Sequence, residues 1–216
     1  MKILFTGFAP ESETANPMSW KWIEHASQHV SHDHFAQALQ VPFSWDDCFE
    51  TLRPTLNQGW DAVVCLGSRP IESLAIERLA LNETDAACKD CLGRRPRSKV
   101  IDPDGEAGYW TGLPYRELGL TLSADRLPSK PSHSAGGGLS NFLFYKLMNW
   151  IALSRRSLVG GLIHVPEQET AVPVSEEAQK TFVRSVFTAL TRSAERSDSL
   201  MVDLDRMRSL RGSPAP

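Results

Sequence analysis

Three side chains of different chemistry stand on separate segments: Glu77 in IERLALN (76–82), Ser140 in AGGGLSN (135–141) and His164 in GGLIHVP (160–166). A hydroxyl, an imidazole and a carboxylate brought together can perform acyl transfer. The hydroxyl attacks, the imidazole carries the proton, and the carboxylate orients the imidazole. Each residue also has a plainer reading. Ser140 precedes an apolar run and suits the N-cap of a helix, His164 suits a satisfied structural position, and Glu77 beside Arg78 suits a surface charge pair. Two other groups invite weighing. Cys88 and Cys91 form a C-x-x-C pair, but no second pair completes a zinc set, so two loop thiols is the simpler reading. His25, His29, His32 and His34 lack a credible set of further ligands beyond Asp33 and read as a solvated face.

The elements that must position these residues alternate along the chain. KILFT (2–6), FAQALQVPF (35–43), DAVVCLG (61–67) and GGLIHV (160–165) are apolar runs that predict strands, the third carrying the continuous pattern of a strand buried on both faces. LAIERLALN (74–82) fits a strand or a helical turn. Helices are predicted over 16–27 with Asn16 as N-cap and Pro17 at the first position, over 46–59 with a break at Pro54, over 113–124, from about Ser140 to Ser154, and over 175–195. Residues 85–108 are rich in charge, Pro and Gly without a period and read as a long surface excursion. Strand and helix in alternation predict an α/β protein, a three-layer α/β/α sandwich with a mainly parallel central sheet. In such sheets the reactive groups gather at the carboxyl ends of strands and the amino ends of helices, where Ser140 and His164 are expected.

Composition narrows the function class. The 216 residues suit one domain, taken as 1–200 with a tail over 201–216, and the net charge of -3, from 23 Lys+Arg against 26 Asp+Glu, includes no long basic run. Neither nucleic acid nor a membrane is expected as a partner. The opening MKILFTGFAP suits neither a leader peptide nor a membrane span, so the expected location is cytoplasmic. Four cysteines are too few for a disulfide scaffold, and Cys65 reads as a buried free thiol.

Several stretches taken together carry a resemblance: ILFTGFAP (3–10), NPMSW (16–20), IERLALNETDA (76–86), DGEAGYWTGLP (104–114), SHSAGGGLSN (132–141) and GGLIHVPEQ (160–168). In this order they resemble pyroglutamyl peptidase I, the pyrrolidone-carboxylate peptidase family of cysteine peptidases that remove an N-terminal pyroglutamate. The resemblance implies that family's α/β/α fold, no cofactor and no metal, a small-molecule or peptide N-terminus ligand, and a tendency to form a homo-oligomer. It also implies site residues. Glu77 in ERLALN matches the family's ERVAIN, His164 in GLIHVP matches GFIHVP, and Ser140 stands where SNSAGTYVCN has its cysteine.

The departures from the family pattern concentrate on the same residues. GFEPFGG becomes GFAPESE, so Phe8 remains as a ring-flanking residue while Glu11 replaces the second Phe and Ser12 and Glu13 replace glycines. Thr-Tyr-Val becomes Gly137-Gly138-Leu139 beside the nucleophile position, GQAGGR becomes GSRPI around Arg69, and IPDN becomes the Cys88–Cys91 segment. The substrate pocket implied is Phe8, Glu11 and Leu139. A serine hydroxyl, unlike a thiol, cannot be pre-ionised by a nearby imidazole and helix end. The resemblance therefore implies a pyroglutamyl-peptidase-like protein with lost or altered peptidase activity. The alternative is a serine-type hydrolase using Ser140, His164 and Glu77 on a different small amide or ester, with backbone N–H groups around Leu139 and Ser140 for the oxyanion.

Overall fold

The computed structural model describes residues 1–10, 17–28, 33–85, 87–169 and 172–211, with backbone alone for 198 and 200–211. The expected sheet is present. β1 (Lys2–Phe8), β2 (Phe35–Val41), β3 (Ala62–Arg69), β4 (Leu74–Glu77), β7 (Ser129–Ser132) and β8 (Val159–Pro166) form six strands in the order β2-β1-β3-β8-β4-β7. The pairs β1–β2, β1–β3, β3–β8 and β4–β7 are parallel, and β4 meets β8 antiparallel. A small second sheet pairs β5 (Leu79–Leu81) with β6 (Gly108–Trp110), antiparallel.

Alternation along the strands divides the core into two layers. Ile3, Phe5, Val64, Leu66, Ile76 and Ile163 point to one face, where Trp22, Leu118, Leu122, Phe182 and Phe187 cover them. Those covering residues follow α1 (Met18–Lys21) or belong to α3 (Tyr115–Ala124) and α5 (Glu176–Arg211). Leu4, Phe8, Val63, Cys65 and Leu162 point to the opposite face, under Phe49 and Leu52 of α2 (Cys48–Leu52) and Leu139, Leu143, Phe144 and Leu147 of α4 (Leu139–Ser154). The result is the three-layer sandwich that the alternation predicts.

Several local expectations are corrected. The helix placed over 16–27 is a single turn, α1, followed by turns and a 3₁₀ turn over Ala26–Gln28; the intended N-cap, Asn16, lies outside the described residues. Trp22, Ile23 and Ala26 are all buried in the core despite the early end of the helix. The break at Pro54 is present, α2 giving way to a 3₁₀ helix over Arg53–Asn57. LAIERLALN is two strands, β4 and β5, turned at Arg78. β7, SKPS, is an edge strand with mostly polar residues and Pro131, so no apolar period announced it. The last helix continues past 195 to Arg211, in a stretch without Gly or Pro until Gly212.

The excursion over 85–108 is tied down by polar side chains. Asn82 Nδ2 donates to the Asp102 carbonyl at 2.7 Å and Asn149 Nδ2 to Asp102 Oδ2 at 2.8 Å, while the Tyr145 hydroxyl donates to the Glu106 carbonyl at 2.8 Å. Arg94 joins Asp90 at 3.2 Å and Asp46 at 3.0 Å. Among the described residues no helix is long and apolar enough to cross a membrane.

Candidate active site

Sheet geometry brings the first two candidates together. Gly67 of β3 is opposite His164 of β8, and Glu77 of β4 is opposite Leu162, so Glu77 is the diagonal neighbour of His164 on the same face. That diagonal is within reach of a carboxylate: Glu77 Oε1 lies 2.8 Å from His164 Nδ1. Both side chains are buried, with relative exposures of 0% and 1%. A surface pair of Glu77 with Arg78 is therefore excluded. Arg78 instead reaches His133 Nδ1 at 3.2 Å and lies over the rings of Trp110 and Tyr115, at 5.3 and 4.6 Å.

Ser140 enters from the helix that covers this face. Leu139 and Ser140 are the first two residues of α4, and the N-cap position belongs to Gly138, with no side-chain cap. The expected capping role of Ser140 is thus overturned: its hydroxyl lies inside the first turn, where it is free to face the sheet. Gly67 makes the approach possible. A Cβ added there would collide with Ser140 Oγ and come within 2.8 Å of both Ser140 Cβ and His164 Cδ2. Only a glycine lets the hydroxyl and the imidazole occupy adjoining space. Asn141, fully buried, fixes the helix start by donating to the carbonyls of Leu81 at 2.9 Å and Glu83 at 3.0 Å while accepting from Leu81 N at 3.0 Å. The first N–H groups of α4 have no acceptor within the helix and point outward at the same end, ready for a developing negative charge.

The electrostatics suit a proton acceptor. Burial lowers the His164 pKa from its ordinary value, and this outweighs the opposing pull of Glu77, with Arg69 lowering it further. His164 is consequently neutral near pH 7. With Nδ1 turned toward Glu77, its other nitrogen is left for the side where Ser140 lies.

Around this core, Phe8 is buried and meets Phe43 edge-on at 5.2 Å, and Leu139 is buried against the same cluster. Glu11, expected in the pocket, lies outside the described residues, as do Glu13, His29 and His32. The Cys88 sulfur stands 3.7 Å from where a Gly138 side chain would begin. Burial and then Asp85 push its thiol above the ordinary cysteine range, the reverse of an activated nucleophile. Cys65 is buried and its thiol is pushed up to about 12. His34 stacks on Phe187 at 4.5 Å, which is a packing role, and among the described residues no group of three or more metal-binding side chains converges.

A family model described as "Pyroglutamyl peptidase" matches residues 1–193. The chain belongs to the pyroglutamyl peptidase family. It is 32% identical over 200 residues to the pyrrolidone-carboxylate peptidase of Bacillus subtilis (strain 168), covering 90% of this chain and 93% of the relative. It is 36% identical over 169 residues to that of Thermosipho melanesiensis, covering 77% and 83%. The crystal structure of Bacillus amyloliquefaciens pyroglutamyl peptidase I superposes with a TM-score of 0.77 at 28% identity, over 88% of this chain and 97% of the other.

In this member of the pyroglutamyl peptidase family, the structure brings Glu77, His164 and Ser140 together, with Phe8 and Leu139 in the apolar cluster on the same face of the sheet. Sequence reasoning missed the permissive role of Gly67 and the location of Arg69. Arg69 Nη1 is 3.6 Å from Glu77 Oε1 and donates to the Ser134 carbonyl at 2.8 Å. The signal for both was available: Gly67 and Arg69 share the parity of Cys65, which places them on the α4 face of β3.

Proposed function

We propose that this chain retains the acid–base half of a peptidase site while its pyroglutamyl peptidase activity is lost or strongly altered. The observation that carries this is the side chain beside His164, an alcohol at the position where the family resemblance implies a thiol. The cysteine of such a site can be ionised before it attacks, and attack then needs no simultaneous proton removal. A serine there must surrender its proton in the transition state to an imidazole placed for that purpose. Among the described residues Ser140 Oγ makes no hydrogen bond to His164, whose recorded side-chain partner is Glu77. The altered GFAPESE and AGGGLSN motifs support a pocket changed independently of the nucleophile. The test is a chromogenic pyroglutamyl amide offered to the native chain and to Ser140→Cys. Native turnover at background is expected, and Ser140→Cys is expected to gain reactivity toward iodoacetamide without family-like turnover. Vigorous cleavage by Ser140→Cys would show that the pocket still accepts the lactam.

A second reading, a serine-type hydrolase acting on another small amide or ester, is favoured by the intact Glu77–His164 bond and the neutral imidazole. A buried carboxylate and imidazole are costly to keep without a use. In this reading Ser140 is the nucleophile, His164 the general base and then acid, Glu77 its orienting partner, and the N–H groups at Leu139 and Ser140 the oxyanion donors. A fluorophosphonate probe that labels the native chain and not Ser140→Ala would support it; no labelling of the native chain would remove it.

A further inference from the structure

We propose that Arg69 is a positioning residue that holds both halves of the candidate site, clamping Glu77 with one side of its guanidinium group and anchoring the segment that leads to Ser140. The proposal deepens the hydrolase-site reading and rests on it only for the reactivity of Ser140. Glu77 is wholly buried, and its second oxygen, Oε2, has no partner among the described residues. Its polar contacts are therefore those made at Oε1, by His164 Nδ1 at 2.8 Å and Arg69 Nη1 at 3.6 Å. His164 is neutral, so the charge that offsets Glu77 comes from Arg69. Arg78, next in the chain, is engaged with His133 and the rings of Trp110 and Tyr115.

The same guanidinium donates to the Ser134 carbonyl at 2.8 Å. Between Ser134 and Ser140 lie three glycines, with Gly136 in the left-handed region at φ +75, a segment with little stiffness of its own. The Arg69 bond fixes its near end, and Asn141 fixes the start of α4 beyond it. Position 69 therefore couples the carboxyl end of β3 to Glu77 on β4 and to the approach of α4. The charged groups acting on His164 are Glu77 from β4, which favours the imidazolium, and Arg69 from β3, which opposes it; α4 contributes the uncharged Ser140 hydroxyl. Removing the guanidinium charge leaves Glu77 to stabilise the imidazolium unopposed, so His164 should bind its proton more readily.

The experiment is an NMR titration of the histidine ring resonances in the native chain, Arg69→Gln and Arg69→Lys, with His164 assigned by its disappearance in His164→Asn. The His164 midpoint should rise by about half a pH unit or more in Arg69→Gln and return most of the way in Arg69→Lys. Ser140 labelling by a fluorophosphonate, where the native chain shows it, should fall several-fold in Arg69→Gln at pH 7. A midpoint unchanged in a folded Arg69→Gln, or lowered, overturns the proposal. Should that variant fail to fold, Arg69→Met, which keeps the apolar stem, carries the same test; failure of both neutral variants while Arg69→Lys folds with the native midpoint supports the charge-clamping role. Because the titration needs no substrate, an unreactive Ser140 would remove the hydrolase reading and leave this result standing.

Discussion

His164 and Glu77 make the most specific predictions at the scale of single residues. His164 has a lowered pKa in the folded chain, so folding favours its neutral form. The stability this supplies is fully present above about pH 6.5, the unfolded value, and is lost as the pH falls below it, at up to about 1.4 kcal/mol per pH unit until the folded pKa is reached. Urea midpoints at pH 7.5 and 5.5 should therefore converge more between native chain and His164→Asn at the lower pH. An equal gap at both would contradict the lowered pKa. Glu77→Gln removes the carboxylate that pulls the His164 proton affinity upward, so its midpoint should drop further, and the lost charge-assisted bond should cost about 1–3 kcal/mol in denaturant unfolding. Position 140 illustrates what residue type alone could and could not tell. Its place at a helix start was legible from the glycines and the apolar run, but a cap and a residue two positions further in look alike until Gly138 is seen to occupy the cap.

Among elements, the meeting of β3, β8 and α4 decides whether the candidate groups touch. Gly67 is the contact point, and Gly67→Ala would press a methyl group into Ser140 Oγ and His164 Cδ2. Overpacking of this kind costs about 1–3 kcal/mol, and separation of the hydroxyl from the imidazole should abolish any Ser140 labelling that the native chain shows, even where the protein stays folded. A melting curve with a probe assay checks both. β1, β3 and β8 were readable because each contains a short, mostly apolar stretch bounded by turn residues, as strands buried on both faces do. β7 was not, since an edge strand needs few apolar residues, and the antiparallel setting of β4 against β8 was not, since register leaves no mark in a single strand. Yet that antiparallel pairing is what sets Glu77 diagonal to His164.

Across the whole molecule, the two apolar layers hold the sheet between α1, α3 and α5 on one side and α2 and α4 on the other. Phe182 of α5 touches the rings of Phe5 and Trp22, at 6.3 and 5.4 Å between centroids, and is fully buried. Phe182→Ala should cost about 3–5 kcal/mol in unfolding free energy. Since this layer is opposite the candidate site, the surviving folded fraction should keep the native His164 titration. Fold class was legible from strand–helix alternation and from the family motifs. That residues 77, 140 and 164 could meet was raised by their chemistry and their places on separate elements and strengthened by the resemblance, but local periodicity could not establish it, because it depends on long-range strand order. The central claim is that the alcohol at position 140 has replaced a working nucleophile for the family's reaction. The initial rate of pyroglutamyl amide cleavage by the native chain, set beside Ser140→Ala, tests it most directly. Equal rates at background are expected; native turnover that vanishes in Ser140→Ala would contradict the account.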